Sequence, residues 1–249
     1  MKPCYNSFGS IPWVRNREME GAMRIQPKRV RAVIFDYDGP LSNSFNHGLR
    51  MLATLARKRG LAFTPRIAKR LIRTWGLKGN ELIAKAFGIS LDEGTVLYRE
   101  WSEAEKLTPC GLVPMARETL QDLRERGLVN TILTSRPSWA LAHSIDAEGI
   151  KEHFAHIVTT CDTEFHKPHP RSFDCTMELL GRRGVREDEC VFIGDTFVDI
   201  DAGRARGVTT FIVRTGPYAF FDHKDFDPDH MIPSVGHLVP RLRDLNYSL

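Results

Sequence analysis

Long apolar runs are missing from this chain: nowhere do about 20 consecutive hydrophobic residues occur, the length a membrane-crossing helix requires, so a membrane-embedded function is not expected. Paired cysteines are missing too. The five present, Cys4, Cys110, Cys161, Cys175 and Cys190, are odd in number and scattered, with no Cys-x-x-Cys spacing. That pattern supports neither a disulfide framework nor a zinc site, and it suits reduced thiols in a cytoplasmic protein. A strong charge of one sign is also lacking. A formal net charge of +4 is compatible with a small anionic partner but does not mark a nucleic-acid-binding or membrane-binding surface. Repeats and low-complexity tracts are absent. With 42% hydrophobic and 27% charged residues among 249, the chain has the make-up of a globular protein long enough to bury a core.

The first 29 residues lack any helical or strand period. Pro3, Gly9, Pro12, Gly21 and Pro27 punctuate them, and Arg15, Arg17, Glu18 and Glu20 interrupt every apolar stretch. No signal-peptide core is possible there, and a loose amino-terminal arm over residues 1–29 is expected.

From residue 30 the pattern sharpens. Short β-rich runs at 30–35, 129–133, 157–159, 190–193 and 208–213, with a sixth at 230–232, alternate with helical stretches such as 114–126, closed by Gly127. Strand alternating with helix requires crossover connections. It predicts an α/β fold, a Rossmann-like parallel sheet with helices on both faces, ending in a helix near 235–245. One region breaks the alternation. Residues 44–108 contain helix signals only: Thr64-Pro65 as N-cap and first turn, Ser90-Leu91-Asp92-Glu93 as a capping box, and Arg57, Lys58 and Arg59 before Gly60 as a helix end. A helical cap domain over 44–108 is therefore expected, inserted into a catalytic core made of 30–43 and 109–249.

Four of the strand-like runs end in residues suited to phosphate chemistry. They are Asp36-Tyr37-Asp38-Gly39, Thr134-Ser135, Lys167-Pro168 in the loop after the third run, and Gly194-Asp195 with Asp199 four residues on. In a parallel sheet these ends share one edge, which predicts three carboxylates and one ammonium gathered there. Asp36 and Asp38 would repel each other unless a cation lay between them, and Mg²⁺ accepts a few carboxylate oxygens together with phosphate and water. An ionised Asp can attack phosphorus, and a second can move the proton. Taken singly, Asp-x-Asp-Gly also suits a turn, Thr134 also suits a helix cap before Pro137, and Lys167 a solvated loop.

In pattern and order these motifs resemble the haloacid dehalogenase superfamily of aspartate-nucleophile phosphohydrolases, over about residues 30–245. Within it the chain looks like the branch with a helical cap after the first motif, which includes phosphoglycolate phosphatase-like enzymes. The resemblance implies Asp36 as nucleophile and metal ligand, and Asp38 as acid/base with a metal contact through its main-chain carbonyl. It further implies Thr134 and Ser135 at the phosphate, Lys167 as charge stabiliser, Asp195 on Mg²⁺, and Asp199 behind them. Presence of Asp38 points to a phosphatase, since the true dehalogenases lack it. Lys78 or Arg73, near Trp75-Gly76-Leu77-Lys78-Gly79 in the cap, would meet the leaving group. The expected activity is Mg²⁺-dependent hydrolysis of a small phosphorylated metabolite. The alternatives are a phosphomutase of the same branch or a non-catalytic binding protein that kept the scaffold. The family's Thr or Val after Asp-x-Asp-Gly is Pro40 here, which removes an N–H and fixes φ and so bears on the turn into the cap. The oligomeric state is not legible.

Overall fold

The protein was analysed as a computed structural model, which describes residues 28–108, 110–219 and 227–249. The expected arm lies outside the described residues except for its last two positions. Lys28–Arg29 (β1) pairs in parallel with Tyr247–Ser248 (β8), with Lys28 Nζ 5.6 Å from the centre of the Tyr247 ring. Residues 28 and 29 therefore belong to a strand, because the other end of the chain supplies a partner for them.

The main sheet has six parallel strands in the order β4-β3-β2-β5-β6-β7: His156–Val158 (β4), Val129–Leu133 (β3), Ala32–Phe35 (β2), Cys190–Gly194 (β5), Thr209–Val213 (β6) and His230–Ile232 (β7). Each position expected from the β-rich runs forms a strand, with five of the twelve ends displaced by one or two residues. β2 is fully buried, and its side chains alternate between two apolar layers. Val33 and Phe35 pack with Leu120, Leu123, Ile145 and Leu238 on one face. Ala32 and Ile34 pack with Phe173, Leu180, Phe192 and Ala202 on the other. Burial on both faces is why these runs are apolar without a polar alternate.

Helices cover both layers: Ala116–Glu125 (α5), Ser138–Glu148 (α6) and Leu238–Asp244 (α9) on the first, Asp174–Gly181 (α7) and Phe197–Arg206 (α8) on the second. Two helix starts differ from expectation. α5 begins at Ala116, not at Pro114, because Met115 precedes it in a left-handed conformation at φ 67°. The final helix opens as a 3-10 turn over Val235–His237 before α9.

Between β2 and α5 the described residues form four helices and no strand: Ser44–Lys58 (α1), Pro65–Thr74 (α2), Gly79–Phe87 (α3) and Leu91–Leu107 (α4). Thr64 accepts the Ile67 N–H as N-cap, with Pro65 in the first turn. Ser90 and Glu93 close a reciprocal capping box. These helices share their own apolar cluster, centred on Phe45, Leu52, Leu71, Trp75, Ile83, Leu97 and Trp101.

β2 is the switch point of the sheet: the chain proceeds to β3 on one side and reaches β5 on the other. Register places Phe35 opposite both Ile132 and Ile193. The residue after β2 is therefore level with Leu133 and Gly194, and a crevice opens beyond these three strand ends.

Candidate active site

Asp36 follows Phe35 directly into this crevice and is 5% exposed. Its Oδ1 accepts the Tyr37 N–H at 2.7 Å, and its Oδ2 lies 3.0 Å from Lys167 Nζ. Lys167 arrives from the loop after β4, across a cis peptide to Pro168. Its ammonium also donates to Asp199 Oδ1 at 2.6 Å and sits 5.4 Å from the Phe192 ring centre. Burial disfavours that ammonium, but Asp199 and Asp36 outweigh it and hold the lysine charged above its usual range. Burial pushes the Asp36 carboxyl up to about 7 despite Lys167.

Asp199 occupies the first turn of α8 and is fully buried. Its Oδ2 accepts the backbone N–H groups of Asp195 and Thr196 at 3.2 and 3.0 Å and the Thr196 hydroxyl at 2.7 Å. Asp199 thus caps its own helix while steering Lys167. Asp195 is different. It is 1% exposed, and neither carboxylate oxygen has a hydrogen-bond partner among the described residues. A Cβ at Gly39, where φ is +91°, would stand 2.0 Å from Asp195 Oδ2, and one at Gly216 would stand 1.9 Å away. Only residues without a side chain can close around this carboxylate. Burial, then Asp199, Asp36 and Asp38, push its proton affinity far up. An orphaned buried carboxylate is costly unless a cation joins it. Asp36, Asp195 and Asp199 each offer an oxygen within 4.8 Å of the others, a hard-oxygen set that fits a divalent ion such as Mg²⁺.

Asp38 sits apart from that cluster. Both of its oxygens are gripped by Arg136, Nε to Oδ2 at 3.0 Å and Nη2 to Oδ1 at 2.6 Å. Two protein cations thus pair with the two carboxylates, Lys167 with Asp36 and Arg136 with Asp38. Arg136 is 8% exposed and lies 5.3 Å from the Tyr37 ring centre. Its Nη1 is 3.0 Å from Glu105 Oε1 on α4. Arg136 and Glu105 were not singled out from the sequence. A charge count offered a signal for the first: the clustered acids outnumbered the one nominated cation, and Arg136 follows Thr134-Ser135 directly.

Thr134 is buried, and its hydroxyl accepts the Arg136 N–H at 3.1 Å, so it shapes the loop and does not cap α6, whose N-cap is Pro137. Thr134 and Ser135 line a cavity of about 70 Å³ with Asp36, Asp38, Asp195 and Arg136. Its far wall comes from the helical segment: Trp75, Gly76, Leu77, Leu82, Tyr98 and Trp101. Lys78 lines a neighbouring cavity with Arg99, Trp139 and Ser135, while Arg73 is exposed on α2 and lines neither. Pro40 is accommodated without loss of a backbone bond. The Tyr37 carbonyl accepts from Leu41 and Ser42 and the Gly39 N–H donates to Ser42, so the turn asks nothing of position 40. The four cysteines among the described residues are free, and no helix there is long and apolar enough to cross a membrane.

Comparisons with known proteins bear on the fold and the family. The chain is 27% identical over 233 residues to a phosphoglycolate phosphatase of Yersinia pestis, covering 87% of this chain and 97% of that one. It is 25% identical over 229 residues to the pyrophosphatase PpaX of Bacillus cereus, covering 88% and 100%. The solved structure of a hydrolase from Pseudomonas syringae superposes with a TM-score of 0.70 at 21% identity, over 86% of this chain and 98% of that one. The family model for haloacid dehalogenase-like hydrolases matches residues 33–213, a span that includes the carboxyl ends of β2, β3, β4, β5 and β6. The chain belongs to that family of hydrolases.

Proposed function

We propose that the protein is a Mg²⁺-dependent phosphomonoesterase that acts on a small phosphorylated metabolite through an aspartyl-phosphate on Asp36. The observation that carries this reading is the buried, unpartnered carboxylate of Asp195 beside Asp36 and Lys167. Asp36 and Asp195, with the main-chain carbonyl of Asp38, would hold the metal. When bound it neutralises phosphate oxygens and favours the ionised form of Asp36.

The residues of the chain divide the remaining work. Asp36 Oδ attacks phosphorus as the bond to the leaving oxygen breaks. Asp38 gives that oxygen a proton, then as carboxylate takes one from the water that cleaves the acyl-phosphate and regenerates Asp36. Lys167, buried and held charged, offsets negative charge on the nucleophile and the transferring group. Thr134 and Ser135 and the adjacent amides receive phosphate oxygens.

Residues 44–108 act as a cap in this reading. Their aromatic wall excludes water from the reacting atoms, and Lys78 in the adjoining cavity meets charge on the leaving group. Relatives named for phosphoglycolate and pyrophosphate support a small anionic substrate. Phosphate release from a panel of phosphorylated metabolites, with Mg²⁺ and with EDTA, tests the proposal. Turnover that EDTA abolishes and Mg²⁺ restores is expected; turnover indifferent to EDTA, or none across the panel, overturns it.

A further inference from the structure

Asp38 is the residue on which proton transfer depends in the reading above, and among the described residues its carboxylate is held by Arg136 alone. A two-point grip from a planar guanidinium fixes the carboxylate plane as well as its place. Arg136 has no freedom of its own. It is buried, lies near the Tyr37 ring, donates through Nη2 to Glu105 Oε1 at 3.1 Å, and has Nη1 3.0 Å from the same oxygen as an ion pair. Glu105 is 6% exposed, and the same oxygen accepts from the Cys110 thiol at 3.0 Å.

These three charges come from different parts of the fold. Asp38 belongs to the loop after β2 and Arg136 to the loop after β3, while Glu105 lies on α4 among the helices of residues 44–108. Tyr98 on α4 and Trp139 on α6 meet edge to face at 5.9 Å beside the triad. A buried triad of this kind is poor value as a stabiliser, since desolvation consumes most of its attraction. Its geometry serves another purpose: the side chain facing the leaving oxygen takes its orientation from a helix outside the sheet.

Building on the phosphatase reading, we infer that Arg136 and Glu105 are positioning residues that aim Asp38 at the leaving oxygen, making proton delivery conditional on the placement of α4. Lys167 and Asp199, from a loop and a helix of the α/β core, orient the nucleophile; Arg136, also from the core, orients the proton donor with its own place fixed by Glu105 on α4.

A positioning role differs from a structural one in its dependence on the leaving group. Departure of 4-nitrophenolate needs no proton, whereas departure of an alkoxide does. The purified full chain, with Mg²⁺, is assayed for kcat/KM on 4-nitrophenyl phosphate and on glycerol 2-phosphate, because this constant reports the step in which the leaving oxygen departs. For E105Q and R136K, kcat/KM on the alkyl ester should fall about 100-fold and on the aryl ester less than about threefold, the range in which general acids act. D38N should lower the alkyl-ester constant at least as far as E105Q does, and E105D should recover most of the alkyl activity. Where E105Q melts before assay, R136K carries the test. Equal loss on both esters, or no loss on either, overturns the inference while the hydrolase reading stands. A wild-type chain that cleaves neither ester overturns that reading first.

Discussion

The two walls of the cavity are built on opposite principles. The sheet edge is a dense set of buried charges: Asp36, Asp195, Asp199 and Lys167 are nearly inaccessible, and all but Asp195 are bonded to one another or to the backbone. The facing wall from α2 to α4 is aromatic, with Trp75 edge-on to Phe45 at 4.9 Å, and Trp101 5.9 Å from both Trp75 and Tyr98. Its one charge at the cavity is Glu105, and that charge is spent on Arg136. Charges act at full strength only where water is kept out, so in the proposed function the sheet edge supplies the chemistry and the helical wall the dry surroundings for it.

The largest way to break this division is at the nucleophile. Asp36→Asn should lower turnover at least about 10³-fold with the circular dichroism spectrum unchanged, measured as phosphate release; full activity would dismiss Asp36 from its role. Breaking the other wall should cost stability. Trp75→Ala removes a buried ring from the insert cluster and should lower unfolding free energy by about 3–5 kcal/mol, read from denaturant midpoints, while the response of the melting temperature to Mg²⁺ survives. That response sharpens the comparison further. Mg²⁺ at about 100 times its Kd should stabilise the wild type by about 2.7 kcal/mol. In Asp195→Asn the shift should vanish, and the metal-free variant should melt above the metal-free wild type because the orphaned carboxylate is gone.

The smallest effect concerns a charge buried away from the metal cluster. Glu148, at the end of α6, accepts the Tyr37 hydroxyl at 2.6 Å, and burial raises its carboxyl to about 7. A folded-state value above the unfolded one means that the folded chain binds the proton more tightly. The stability from this group is therefore complete below pH about 4.5 and is lost as pH rises through about 7. Unfolding curves from pH 5 to 8 should show that slope, and Glu148→Gln should flatten it; an unchanged slope would remove Glu148 as its source.

What was legible in the sequence followed local rules. Runs such as Thr131-Ile132-Leu133 and Val191-Phe192-Ile193 are apolar because both faces of a parallel sheet are covered, and each stops where a polar residue leaves the sheet. Caps at Thr64 and Ser90 were legible because a cap is completed within three or four residues. α5 was misplaced at its start because the left-handed Met115 has no sequence signature. Arg136 was overlooked because one arginine between a serine and a proline looks like any solvated loop residue. Glu105 had less signal still, sitting among Glu103, Lys106 and other charges of α4 with nothing local to mark it as buried.

Where the strands and helices fall, and which residue types stand at the strand ends, were legible in the sequence alone, since periodicity and strand-end chemistry are properties of neighbours along the chain; the order of the strands in the sheet was not. Which cation meets which acid was settled only on folding. Lys167 lies 131 positions from Asp36 and 32 from Asp199, and Arg136 lies 98 from Asp38 and 31 from Glu105. Such pairings depend on where buried side chains converge once solvent is gone, and no local pattern encodes that distance.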